Sequence, residues 1–151
     1  MPAFRRVLHP SDFSSASRPA FRKAVDLAKS LRGDLVLVHV LPFVVVPMMM
    51  AEGYLPASTL EDLERTARTV AQRHLNRLVA RAKQAGVRVS SRLVEGEPVD
   101  ERIVRTAKAV HADMIVIGTH GRTGVRRFLL GSVAARVVAG ASCSVLTVPG
   151  R

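Results

Sequence analysis

The chain has a single cysteine, Cys143, in 151 residues. One thiol excludes an internal disulfide and a cysteine-rich metal site, and such poverty in cysteine suits a reducing compartment. The chain also lacks long apolar runs. Nothing approaches the ~18 residues that a membrane-spanning helix requires, and the opening MPAFRRVLHPSD contains no apolar core of a secretory signal. The cytoplasm is the expected location. Acidic residues are scarce too, 12 Asp and Glu against 23 Lys and Arg, which leaves a formal charge of +11. Such a field attracts polyanions of every kind. Yet Arg65, Arg68, Arg73, Arg77 and Arg81 are strung along one expected helix and not gathered in a tail. That spread favours a solvated basic face over a nucleic-acid interface, and no membrane partner is expected. Hydrophobic residues, in contrast, make up 48% of the chain and charged ones 23%. This is the composition of a folded protein, and the length suits one domain over 1–151.

Four short apolar runs have the length and branching of buried strands: RVLH (6–9), LVLVHV (35–40), MIVI (114–117) and SVLTV (144–148). Continuous apolarity predicts strands covered on both faces, as in a parallel sheet. A fifth run, VRVSSRLV (87–94), alternates. Val87, Val89 and Leu93 take one side and Arg88, Ser90 and Arg92 the other, which fits an edge strand with one wet face.

Helical periodicity fills the intervals. Residues 18–32 carry Phe21, Ala24, Val25, Ala28 and Leu31 on one stripe, with Ser17 as N-cap, Pro19 in the first turn and Gly33 past the end. Residues 59–85 carry Leu60, Leu63, Ala67, Val70, Leu75, Leu78 and Ala82, with Ser58 and Glu61 at capping-box spacing and Gly86 at the close. A third helix starts at Pro98, and a fourth runs from Gly131 or Ser132 to about Ala139. Strands alternating with helices imply right-handed crossovers, an α/β fold and a parallel sheet with helices on both faces. Ligands of such sheets sit beyond the carboxyl ends of the strands, where the strand order reverses. The loops after strands 1, 2 and 4 therefore matter most.

The loop after strand 4, within GTHGRTGVRRFLLGS (118–132), runs about twelve residues where ~2–6 is usual. Gly118, Gly121, Gly124 and Gly131 permit positive φ angles and close approach of a ligand to the backbone. Amides at the start of the next helix, helped by its dipole, would face an anion, and Ser132 adds a hydroxyl. Phosphate is the expected guest. Familiar signatures are missing: there is no G-x-x-x-x-G-K-[ST], no G-x-G-x-x-G after strand 1 and no G-x-S-x-G elbow. What remains is G-x-x-G, nine residues, then G-[ST], formed by Gly118, Gly121, Gly131 and Ser132.

That spacing resembles the nucleotide-binding signature of the universal stress protein family. The similarity extends from VLHPSDFSSAS through LVLVHVL and ADMIVIGTHGRTGVRRFLLGSVAARVV to CSVLTVP. It implies a five-stranded parallel sheet of order 3-2-1-4-5 in a Rossmann-like three-layer sandwich, with a homodimer formed through the last strand, Ser144–Val148. It also implies ATP binding, with Mg²⁺ on the phosphates, in a stress-response regulatory module. Asp12 would lie near the sugar and adenine, and the Val40 backbone would meet the adenine edge. Gly118 would pass beneath the ribose, the amides of Gly121, Gly131, Ser132 and Val133 would hold the phosphates, and Pro10, Ser11, Ile117, His120 and Arg122 complete the expected nucleotide-binding set. Ala134 departs from the pattern, since nucleotide-binding relatives often have Thr or Ser there; the missing hydroxyl forfeits about 1 kcal/mol of donor strength.

Other roles stay open for several of these residues. Asp12 could cap the turn before the first helix, His120 could simply face water, and Arg122, Arg126 and Arg127 could clamp a triphosphate or form a solvated basic loop. His9 and His39 lie on adjacent strands but lack partners at metal-ligand spacing. The stretch FVVVPMMMAEGYLP, including Val44–Met50, fits a lid, a dimer contact or packing behind the helix. No catalytic base is evident, so the expected class is a binding module. A slow ATPase and a nucleotide-independent interaction protein are the alternatives.

Overall fold

The computed structural model describes residues 4–43, 53, 56–120 and 130–150. In chain order the elements are β1 (Arg6–Pro10), a 3-10 turn (Ser15–Ser17), α1 (Arg18–Ser30), β2 (Asp34–Leu41), α2 (Ala57–Gln84) and β3 (Arg88–Glu95). They continue with α3 (Val99–Ala109), β4 (Met114–Gly118), α4 (Ser132–Gly140) and β5 (Ser144–Val148). All pairings are parallel, and the sheet order is β3-β2-β1-β4-β5. The expected α/β topology is the one observed.

The two faces of the sheet are buried separately. Phe21, Ala24, Val25 and Ala28 of α1 and Leu75 and Ala82 of α2 cover Val7, Leu35, Leu37 and Val116. On the other face, Ile103 and Ala107 of α3 and Ala134 and Val137 of α4 cover Leu8, Val36, Val38, Ile115 and Ile117. A right-handed crossover fixes which face each helix takes. The chain moves outward from β1 to β3 over one face and returns through α3 to β4 over the other. β1 is therefore where the winding reverses. Strand β3 alternates exposed and half-buried positions over Arg88–Arg92, as expected for an edge with one wet face.

Several local expectations need correction. The long stripe of α2 is only partly buried: Ala71, Leu75 and Ala82 are enclosed, whereas Leu63 and Val70 are exposed. The capping box is not formed either, because the helix begins at Ala57 with Pro56 as N-cap and no side-chain cap bond. Ser58 thus lies inside the first turn. Gly86, with φ 82°, does close α2, and the amide of Val87 returns to the Ala82 carbonyl at 3.1 Å.

Gly33 has a different task from the one expected. The left-handed residue after α1 is Arg32, with φ 50°, while Gly33 lies flat against the Arg5 carbonyl. Any Cβ there would overlap that oxygen at the very start of the β1–β2 pairing. Gly33→Ala is expected to destabilise the protein by about 3 kcal/mol, read as a lower midpoint in urea denaturation at unchanged slope; an unchanged midpoint contradicts the packing argument.

Candidate functional site

At the carboxyl ends of β1, β2 and β4 the sheet opens into a crevice of about 550 Å³, a size common among small-molecule sites. Pro10, Ser11 and Asp12 form one wall, Val40 and Phe43 another, and Ile117–His120 and Gly131–Ala134 a third, with Val99 and Ile103 of α3 beneath. The structure thus brings together the expected residues Pro10, Ser11, Asp12, Val40, Ile117, Gly118, His120, Gly131, Ser132 and Val133. Gly121, Arg122, Gly124, Arg126 and Arg127 lie outside the described residues. So does the segment Val44–Met50.

The crevice opens because β1 and β4 stay paired only briefly. Their register covers Val7↔Met114 and Leu8↔Ile115, against eight pairs between β2 and β3. Pro10 brings no N–H to extend the ladder. Instead the imidazole of His9 donates from Nδ1 to the Val116 carbonyl at 2.8 Å, so a side chain spans the gap between the strands. His9 is fully buried beside Phe21, and its Nε2 has no hydrogen-bond partner among the described residues. Burial disfavours the charged ring. It lowers the pKa to about 4, although the Val116 bond and the Asp12 charge pull the other way.

Asp12 holds its own turn: one carboxylate oxygen accepts from the Ser14 amide at 2.9 Å and the Ser14 hydroxyl at 2.6 Å. The capping role anticipated for Asp12 and its place on the crevice wall therefore coexist. Ser11 donates its amide to the Val38 carbonyl at 2.9 Å and accepts the Phe13 amide on its hydroxyl at 3.1 Å. His39, buried on β2, donates from Nδ1 to the Ser11 carbonyl at 2.7 Å.

On the opposite wall Gly131 works by closeness. Gly131 has φ −57°, and neither it nor Gly118 adopts a positive φ, contrary to expectation. A Cβ on Gly131 would stand 2.8 Å from the Thr119 carbonyl oxygen. The same oxygen accepts the Gly131 amide at 2.7 Å, so that amide is not the phosphate donor expected of it. Ser132 and Val133, in the first turn of α4, have no acceptor within their own helix, and their amides begin where the dipole favours an anion. His120 lies beside them, its Nδ1 2.8 Å from the Thr119 hydroxyl and its Nε2 buried without a partner among the described residues. A water-facing ring was the other expectation. Asp12 is the one formally charged residue among the described lining, so the described residues would meet an anion here with main-chain dipoles.

Fold and crevice define an open α/β domain with a cavity at its switch point. The sequence model of the universal stress protein family matches residues 3–149, and the chain belongs to that family. A universal stress protein of Methanocaldococcus jannaschii is 35% identical over 148 residues, covering 96% of this chain and 82% of that one. Among solved structures, a universal stress family protein from Burkholderia pseudomallei aligns with a TM-score of 0.77 and 31% identity, covering 99% of each chain. A universal stress protein in complex with cAMP aligns at 0.68 with 27% identity, again over 99% of each. Among the described residues no helix is long and apolar enough to cross a membrane, and no group of three His, Cys, Asp or Glu could hold a metal ion.

The His9 environment makes stability depend on pH. The unfolded imidazole binds its proton near pH 6.5 and the folded one near 4, so the contribution is complete above 6.5 and is lost as pH falls toward 4. Stability should drop by about 3 kcal/mol over that interval, measured by urea denaturation at stepped pH. His9→Asn keeps a donor for Val116 but cannot titrate, and should flatten this slope; a slope unchanged in the variant rules His9 out as its source.

Proposed function

We propose that this protein binds an adenine nucleotide, ATP, in the switch-point crevice and serves as a nucleotide-dependent regulatory module of the stress response. The observation that carries this reading is the convergence of Asp12, Val40 and the first-turn amides of Ser132 and Val133 around one cavity of about 550 Å³. Its Val40, Ile117 and Val133 surfaces suit a flat apolar base, and the α4 terminus suits a phosphate. The related structure with cAMP points to the same ligand class. ATP would bring Mg²⁺ on its own phosphates. Gly121 and Arg122 remain candidates for the outer phosphates.

The same reading includes a homodimer in the cytoplasm. β5 is an edge strand, and an exposed edge favours pairing or cover. Exposed Val138 and Leu130 add apolar surface on the α4 segment before it.

Titration calorimetry tests the central part. ATP should bind with a dissociation constant in the millimolar range or tighter. Ser132→Ala should weaken it about fivefold, the loss of one hydrogen bond. Gly131→Val, whose side chain meets the Thr119 carbonyl, should abolish binding in a protein that still melts cooperatively. No heat at millimolar ATP with the parent protein overturns the proposal.

A further inference from the structure

Phe13 stands next to Asp12 in a backbone conformation that aromatic residues rarely adopt, with φ 64°. Something must hold it there. Its ring stacks on the imidazole of His39 at 4.2 Å between centroids, with 26° between planes. It stacks also on His74 of α2, at 5.1 Å and 26°. Phe13 is half-buried and packs against the core beneath α1 and α2; neither it nor His74 lines the crevice. The hydrogen bonds close the arrangement from the other side. His39 donates to the Ser11 carbonyl, the Phe13 amide returns to the Ser11 hydroxyl, and Asp12 is left between two anchored neighbours.

We infer that the His39–Phe13–His74 stack is a positioning device that sets the Asp12 carboxylate for the ribose hydroxyls of a bound nucleotide. The inference rests on the nucleotide-binding reading and deepens it. A ring wedged between β2 and α2 locks the backbone on one side of Asp12, and the Ser14 bonds fix the carboxylate on the other. The carboxylate is thereby oriented before the ligand arrives, so less ordering is required on binding. Because Phe13 acts through Asp12, its removal should penalise only ligands that present hydroxyls to Asp12.

The test compares ATP with 2′,3′-dideoxy-ATP by calorimetry. Phe13→Gly deletes the ring but tolerates the left-handed backbone. It should weaken ATP about tenfold and leave the dideoxy compound within about twofold, and in an Asp12→Asn background it should add almost nothing, the mark of two residues acting as one unit. His74→Leu, at the half-buried outer end of the stack, should show the same selectivity to a smaller extent, and it carries the test if Phe13→Gly does not fold. Equal weakening of both nucleotides, or of neither, in a protein whose parent binds ATP overturns the inference alone. A parent protein that binds neither nucleotide overturns the nucleotide reading, and this inference with it.

Discussion

Everything at the site follows from the reversal of winding at β1. Crossovers of one hand send α1 to one face of the sheet and α4 to the other, so the chain leaving β1 and the chain leaving β4 part as soon as the strands end. The sheet is fastened below this point and open above it. At the lower end the Asp113 carboxylate accepts the amides of both Arg5 and Arg6 at 2.8 Å, binding β1 to the approach of β4. At the upper end the main-chain pairing stops after Leu8 and Ile115, and one buried imidazole spans the remaining distance to Val116.

Backbone chemistry then furnishes the crevice. Gly131 lets α4 begin against the Thr119 carbonyl, which aims the first turn of the helix at the cavity. The described walls carry almost no formal charge, although the chain as a whole is strongly basic. On the proposed reading, the arginines on the helices would raise the local concentration of anions, and main-chain dipoles at α4 would help to select where one rests.

Much of this was legible in the sequence, because burial on both faces leaves a direct imprint of uninterrupted branched residues. SVLTV matches β5 residue for residue, and MIVI falls one short of β4. The crevice was legible too, since the length of the loop after β4 and the spacing of its glycines are properties of the chain itself. The errors arose where a local pattern has two physical causes. A stripe at helical spacing signals burial only where another element covers it, and in the first half of α2 Leu60 and Ala67 are half-buried while Leu63 and Val70 are exposed. A glycine signals either a left-handed turn or a close approach. At Gly33 and Gly131 it was the approach of a carbonyl from a segment that periodicity cannot locate. The roles of His9, His39 and Phe13 depend on contacts across neighbouring strands and α2, for which no local signal exists.

The central proposal is that the main-chain N–H groups at the start of α4, which have no acceptor within their own helix, would hold the phosphate. Proton–nitrogen correlation spectra recorded while ATP is added test it most directly. The account predicts that the amide protons of Ser132 and Val133 move strongly downfield and saturate together with the residues around Val40 and Asp12, as donors do when they meet an oxyanion. Saturating shifts confined to other surfaces, with Ser132 and Val133 unmoved, would contradict it.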